Sequence, residues 1–158
     1  MESRFGPSDV YYCDLGISGC AQSGFEEFSS AARKRGISLH RVNHWTQVER
    51  NAPLLAVGTT QNRRIQMMLE NAGVDHRLKP ESLFVKWCDV PGSRVLVVAG
   101  TDDAGLMYNL LELSRKLDAL GVDALNQAAD LTESPYNKVR CVDRYLLGHL
   151  DDEWFKSE

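Results

Sequence analysis

The chain has 158 residues, a hydrophobic fraction of 43%, a charged fraction of 25% and a formal net charge of -4. That is the composition of an ordinary folded domain, and it excludes the broad positive charge that nucleic acid or an anionic membrane surface would call for. No apolar run approaches the roughly 20 residues needed to span a bilayer, so neither nucleic acid nor membrane is an expected partner. The N-terminus, MESRFGPSDVYY, shows no basic flank followed by an apolar core, so no signal peptide is visible and the cytoplasm is the expected compartment if the chain is complete.

Taken in order, residues 1–9 read as a frayed terminus around Gly6, Pro7 and Ser8. Residues 10–15, VYYCDL, read as a first strand, and residues 16–24 as a loop of small residues. In GFEEFSSAARKRG the apolar Phe25, Phe28 and Ala32 share a face. Glu26 and Glu27 come early and Arg33, Lys34 and Arg35 late, an order that suits the helix dipole, and Gly36 closes the helix. Residues 37–42 alternate as a half-buried strand, and His44, Trp45 and Thr46 open a connection to Asn51. PLLAVG, residues 53–58, is a continuous apolar run suited to an interior strand. Thr59 or Thr60 is the expected cap of a helix that turns Ile65, Met68 and Leu69 inward and ends at Gly73. Residues 74–80 read as a loop.

Residues 82–90, SLFVKWCDV, alternate, and Pro91-Gly92 folds them back onto residues 94–99 as a hairpin. Gly100 turns the chain into a long helix with Thr101 as the expected N-cap and Asp102 and Asp103 in its first turn. Leu106, Leu110, Leu113, Leu117 and Leu120 form its apolar stripe, widened by Met107 and Leu111, and Gly121 stops it. Residues 123–135 are expected to be irregular or to hold a short helix, residues 139–147 are apolar-rich, and residues 149–158 are charged. Strands alternating with helices predict an α+β fold of α/β-like order: a mixed sheet with helices packed mainly on one face.

Few residues offer chemistry. His40 and His44 are four apart, a zinc-binding spacing on a helix, but the pattern around them is a strand running into a loop, with no HExxH and no third ligand, so no metal is expected. GTDDAG after the fifth strand lacks the glycine spacing of a dinucleotide site and the Gly-Lys-Ser/Thr of a phosphate loop, and its two aspartates would repel phosphate, so no cofactor is expected. Asp151, Asp152 and Glu153 are adjacent in sequence, whereas a glycosidase pair must face across a sugar. The four cysteines, Cys13, Cys20, Cys88 and Cys141, lack CxxC spacing and read chiefly as small hydrophobes. Trp45, Trp87, Tyr136 and Trp154 have planes that suit the C–H faces of sugars, against the commoner role of packing.

PLLAVGTT, PESLFVKW and RVLVVAGTDDAGLMYNLLEL together resemble the N-terminal accessory domain of glycoside hydrolases of the β-hexosaminidase and α-glucuronidase type. In that family a strand ending in Gly-Thr precedes a helix, matched here by Gly58-Thr59. A Pro-Glu-x-Phe-x-Ile sense enters a hairpin, matched by residues 80–85, and Ala-Gly-x-Asp-x-x-Gly-x-x-Tyr-x-Leu starts the long helix, matched by residues 99–110. Gly105 would let the first helical turn approach the sheet closely, with Tyr108 one turn on along the same side. The likeness covers residues 52–121 well and earlier residues only in element order.

By the same resemblance residues 1–130 are the accessory domain, and residues 131–158 are a linker and the first strand of a catalytic (β/α)8 barrel. Arg140 matches an arginine that contacts sugar, with Cys141 where the family has glycine. A barrel needs about 200 or more further residues, so this chain is expected to be non-catalytic. Its expected role is to pack against a carbohydrate-active barrel of the same protein, or to self-associate, through a surface to which Tyr145, Leu146, Leu147 and Trp154 contribute. The alternative is a free-standing carbohydrate- or ligand-binding protein, with Arg140, Trp45, Trp87 and Trp154 as candidate sugar contacts. A small hydrolase or transferase using His40, His44 or a cysteine is the third reading.

Overall fold

A computed structural model describes residues 9–49, 52–128 and 130–135. Six strands form one sheet in the order β2-β1-β3-β5-β4-β6. They are β1 (Asp9–Leu15), β2 (Ser38–Val42), β3 (Leu54–Thr59), β4 (Leu83–Val90), β5 (Ser93–Gly100) and β6 (Leu131–Glu133). The helices are α1 (Cys20–Lys34), α2 (Arg63–Asn71), α3 (Asp103–Leu120) and the short α4 (Asp123–Asn126). Strands β2, β1, β3 and β5 run parallel, and β4 returns antiparallel to β5 and pairs in turn with β6.

The sheet has two covered faces of unequal weight. On one face Val10, Val57, Val85, Leu96 and Val98 pack with Phe28 and Ala32 of α1, Leu106, Leu110, Leu113 and Leu117 of α3, and Leu125 of α4. On the other, Cys13, Leu54, Phe84, Val95 and Val97 meet Ile65, Met68 and Leu69 of α2, the only α-helix on that side among the described residues. The apolar run expected to be an interior strand is one, since every residue of β3 is buried, and Val95 to Gly100 of β5 are buried as well. The two-residue turn of the hairpin is confirmed by the pairing of Val90 with Ser93 across Pro91-Gly92. Strand β2 is an exposed edge.

Several expectations need correction. Helix α1 begins at Cys20, inside the expected loop, because Gly24 does not break it: a Cβ there would stand only 3.0 Å from the Met107 carbonyl oxygen, so glycine lets α1 and α3 pack closely. Glu26 and Glu27 therefore lie beyond the first turn, which holds no acid. Asp103 of α3 supplies one from outside, accepting from Ser18 Oγ at 3.1 Å beside the Gly19 cap. Helix α2 is capped by Asn62, whose side chain accepts from Arg64 N–H, rather than by Thr59 or Thr60. Thr59 ends β3, and Thr60 bonds the Gly100 and Thr101 carbonyls.

Asp102, not Thr101, caps α3: its Oδ1 accepts from Gly105 N–H at 2.8 Å and its Oδ2 from Glu81 N–H at 2.9 Å. Thr101 is engaged with Ser82 N–H and the Lys79 carbonyl. Leu120, the last residue of the expected stripe, is 54% exposed. Residues 131–133, read as linker, extend the sheet past the expected boundary as β6. The apolar-rich segment 139–147, and with it the rest of the expected linker and barrel strand from residue 136 on, lies outside the described residues.

Besides Asp102, two further residues fix α3 on the hairpin. A Cβ on Gly105 would lie 2.3 Å from the Ser82 carbonyl oxygen, so only glycine permits this close approach, as its place in the sequence motif implies. One turn on, buried Asn109 donates through Nδ2 to the Phe84 carbonyl at 2.8 Å and the Ala99 carbonyl at 2.9 Å, tying both hairpin strands to the helix. Gly105→Ala should destabilise the fold by about 1–3 kcal/mol through overpacking against backbone. Asn109→Leu should cost roughly 1–3 kcal/mol by leaving two buried carbonyls without this donor. Asn109→Asp should cost more, since a carboxylate oxygen would face those carbonyls. Urea denaturation of the three variants checks this order.

Candidate functional site

In a sheet of this topology a ligand site is looked for beyond the carboxyl ends of the parallel strands, where successive connections leave in opposite directions. Here that point lies between β1 and β3, because β1 leads through α1 to β2 on one side while β3 lies on the other. It is occupied by the chain's own side chains. Asp14 Oδ1 accepts from Gly16 and Ile17 N–H, and its Oδ2 meets Arg41 at 3.1 Å. The N-terminus of α1 faces the Asp103 carboxylate, and a Cβ on Gly19 would come within 2.5 Å of it. Carboxylates at this mouth oppose a phosphate, and the turn after β5 is closed by its own cap at Asp102.

The sequence-derived candidates are dispersed. Trp87, on β4, packs against the core beneath α1 and α3 with the Arg94 guanidinium 5.4 Å from its ring centroid. Trp45 lies in a single 3-10 turn, Trp45–Gln47, packed against the core of the opposite face. Its ring stacks on His44 at 4.1 Å, and Arg64 stands 5.8 Å from its centroid. The two tryptophans are thus separated by the sheet, and each is only partly exposed and carries a cation on its ring. Arg140, Tyr136 and Trp154 lie outside the described residues, as do Cys141, Tyr145, Leu146, Leu147, Asp151, Asp152 and Glu153.

The two histidines serve separate partners. His40 Nε2 lies 2.7 Å from Asp9 Oδ1 at the sheet edge, while His44 Nδ1 lies 2.9 Å from Thr46 Oγ1 and accepts from Thr46 N–H in a capping box with Gln47. Cys13 and Cys88 are buried, Cys20 is exposed, and all three are free thiols. Burial raises the Cys13 pKa, and it pushes that of Cys88 up to about 11, so neither is a thiolate nucleophile near neutral pH.

The groove that does offer space was not foreseen from sequence. It encloses about 510 Å³ between α3 and the β4–β6 edge. Leu83, Val85, Tyr108, Leu111 and Leu131 make its apolar lining. Glu81, Glu112, Glu133, Arg115 and Lys116 rim it, and Pro135 closes one end. Its floor is a sheet and its wall a helix, and its lining combines apolar side chains with carboxylates and cations. The signal in the sequence was Tyr108 and Leu111 of α3, of which Leu111 was read as widening the apolar stripe but lines the groove instead of the buried core.

Because Cys88 is protonated in the fold at pH values where the unfolded thiol ionises, its contribution to stability is complete below about pH 9 and is lost as pH rises toward 11. Cys88→Ala should therefore lessen the alkaline loss of stability, measured by denaturation between pH 8 and pH 11. In native protein at neutral pH, iodoacetamide should label Cys20 and spare Cys13 and Cys88, with all labelled after denaturation, as mapped by mass spectrometry.

No family model and no curated protein matches the sequence. Among solved structures the fold is similar to part of a GH138 enzyme targeting pectin rhamnogalacturonan II, with TM-score 0.54 and 15% identity over 84% of this chain. CpGH84D is aligned at TM-score 0.48 and 15% identity over 82% of this chain. The chain spans 16% of the first of these proteins and 20% of the second. The fold is thus a mixed six-stranded α+β domain of the kind found within a glycoside hydrolase.

Proposed function

We propose that this chain is a non-catalytic accessory module of a glycoside-hydrolase-like protein, built to pack against and steady a carbohydrate-active barrel. The observation that carries the reading is the fold likeness itself: most of this chain corresponds to a small part of a much longer GH138 enzyme. The sequence motifs support it from a second direction, since Gly105 and Asp102, two positions of the family pattern, hold α3 on the hairpin. In this reading the motif's residues are packing devices, and the residues after Pro135 are the connection to the barrel. Arg140 is the residue of that connection that would reach a sugar.

The site geometry also supports a non-catalytic role. The carboxylates at the carboxyl edge of the sheet are committed to caps and to Arg41, and the buried thiols are held protonated. A sugar-binding role for Trp45 or Trp87 would need the ring to exchange its arginine for a glycan, and the two would act on opposite faces.

The 158-residue protein should release no product from a panel of aryl glycosides spanning hexosaminides, uronides and deoxyhexosides. Turnover abolished by His40→Ala or His44→Ala would replace this reading with that of a small hydrolase. Saturable glycan binding lost in Trp45→Ala or Trp87→Ala would replace it with that of a free-standing binding protein.

A further inference from the structure

We infer that the groove beside α3, together with the flank of α3 that borders it, is a self-association face whose occupant is a second copy of this chain, placed antiparallel across a twofold axis. The inference draws on the described residues of the groove alone and stands apart from the glycoside-hydrolase reading.

Shape supplies the first argument. One flank of α3 carries Tyr108, Leu111, Glu112 and Arg115, which recur at three- and four-residue steps and so share a side of the helix. Leu106, Leu110, Leu113 and Leu117 are buried toward the sheet, whereas Tyr108 and Leu111 are only half-buried and Glu112 and Arg115 are exposed. Beside this ridge lies the groove, with Leu83, Val85 and Leu131 in its lining. A ridge that borders a groove is complementary to itself. A twofold axis between two copies sets each ridge into the other copy's groove, the isologous arrangement of cyclic dimers.

Charge fixes the direction. Glu133 of β6 pairs with Leu83, which pairs with Gly100, and Glu81 N–H is held by Asp102, so Glu81 and Glu133 stand at the end of the groove where α3 begins. Arg115 and Lys116 line it about three turns further along the helix. They stand 3.9 and 3.6 Å from Glu112, and the Arg115 side chain is 81% exposed, so its guanidinium keeps donors for another carboxylate. A parallel copy would set acid on acid and base on base, whereas an antiparallel copy sets each acidic end on the other's basic end. From Gly105 to Arg115 is roughly 15 Å at about 1.5 Å per helical residue, and the midpoint falls between Tyr108 and Leu111. The axis that matches the charges therefore also brings the apolar pair of one copy onto that of the other. Burial of these side chains supplies the affinity, and the exposed charges select the orientation.

Sedimentation velocity over about a hundredfold range of protein concentration tests this. The 158-residue protein should pass from monomer to dimer, and Leu111→Asp should abolish the dimer while circular dichroism stays unchanged. Glu133→Arg and Arg115→Glu should each weaken dimerisation by about tenfold, because a twofold interface carries every contact twice. The two substitutions together should return the dissociation constant to within about threefold of wild type, since the pair is restored with its signs exchanged. This rescue keeps the test readable if Leu111→Asp does not fold. A wild-type monomer at every concentration would overturn the inference and leave the groove to a partner of another kind. A dimer that both single charge substitutions leave intact, or that the double substitution fails to restore, would overturn it too. None of these outcomes depends on glycosidase turnover or on a barrel, so the two readings fail separately.

Discussion

The seating of α3 on the β4–β5 hairpin is the contact on which the rest of this domain depends. Three residues within two turns make it: Asp102 caps the helix and holds Glu81 N–H, Gly105 lets helix and strand backbones approach, and Asn109 binds one carbonyl on each strand. A helix placed this way presents Leu106, Leu110, Leu113 and Leu117 to the sheet, and its near side becomes the surface on which Gly24 of α1 rests. The same placement leaves its other flank beside β4 and β6, which creates the groove. Core, helix pair and groove therefore follow from one junction.

That arrangement is in keeping with the accessory-module proposal. Polar groups at the carboxyl edge of the sheet are spent inward, on the Asx turn of Asp14, its pair with Arg41 and the two helix N-termini that Asp102 and Asp103 serve. A catalytic edge would instead aim such groups at a shared empty space. The unequal cover of the two faces points the same way, since a domain with exposed margins beside an apolar groove has somewhere for further chain or a neighbouring domain to rest.

Much of this was legible because the strongest signals were local. Continuous apolar runs placed β3 and β5 in the interior, Pro91-Gly92 placed the hairpin turn, and leucine spacing placed α3. What misled was competition among neighbours for the same role. Thr59, Thr60 and Thr101 are as fit to cap as Asn62 and Asp102, and only tertiary bonds to Gly100, Ser82 and Lys79 decide which residue is left for the helix. Gly24 reads as a breaker until α3 lies against it, and residues 131–133 are too few to show a strand period before β4 pairs with them. The tryptophans offered no distance information, so their separation by the sheet could not be read in one dimension.

The mass of the native gene product in its source cells, read by mass spectrometry with an antibody to this domain, tests the accessory-module reading most directly. An accessory module predicts a product at least about 200 residues longer than this chain, with a barrel on the same polypeptide. A product of 158 residues that binds no barrel-containing partner would contradict it.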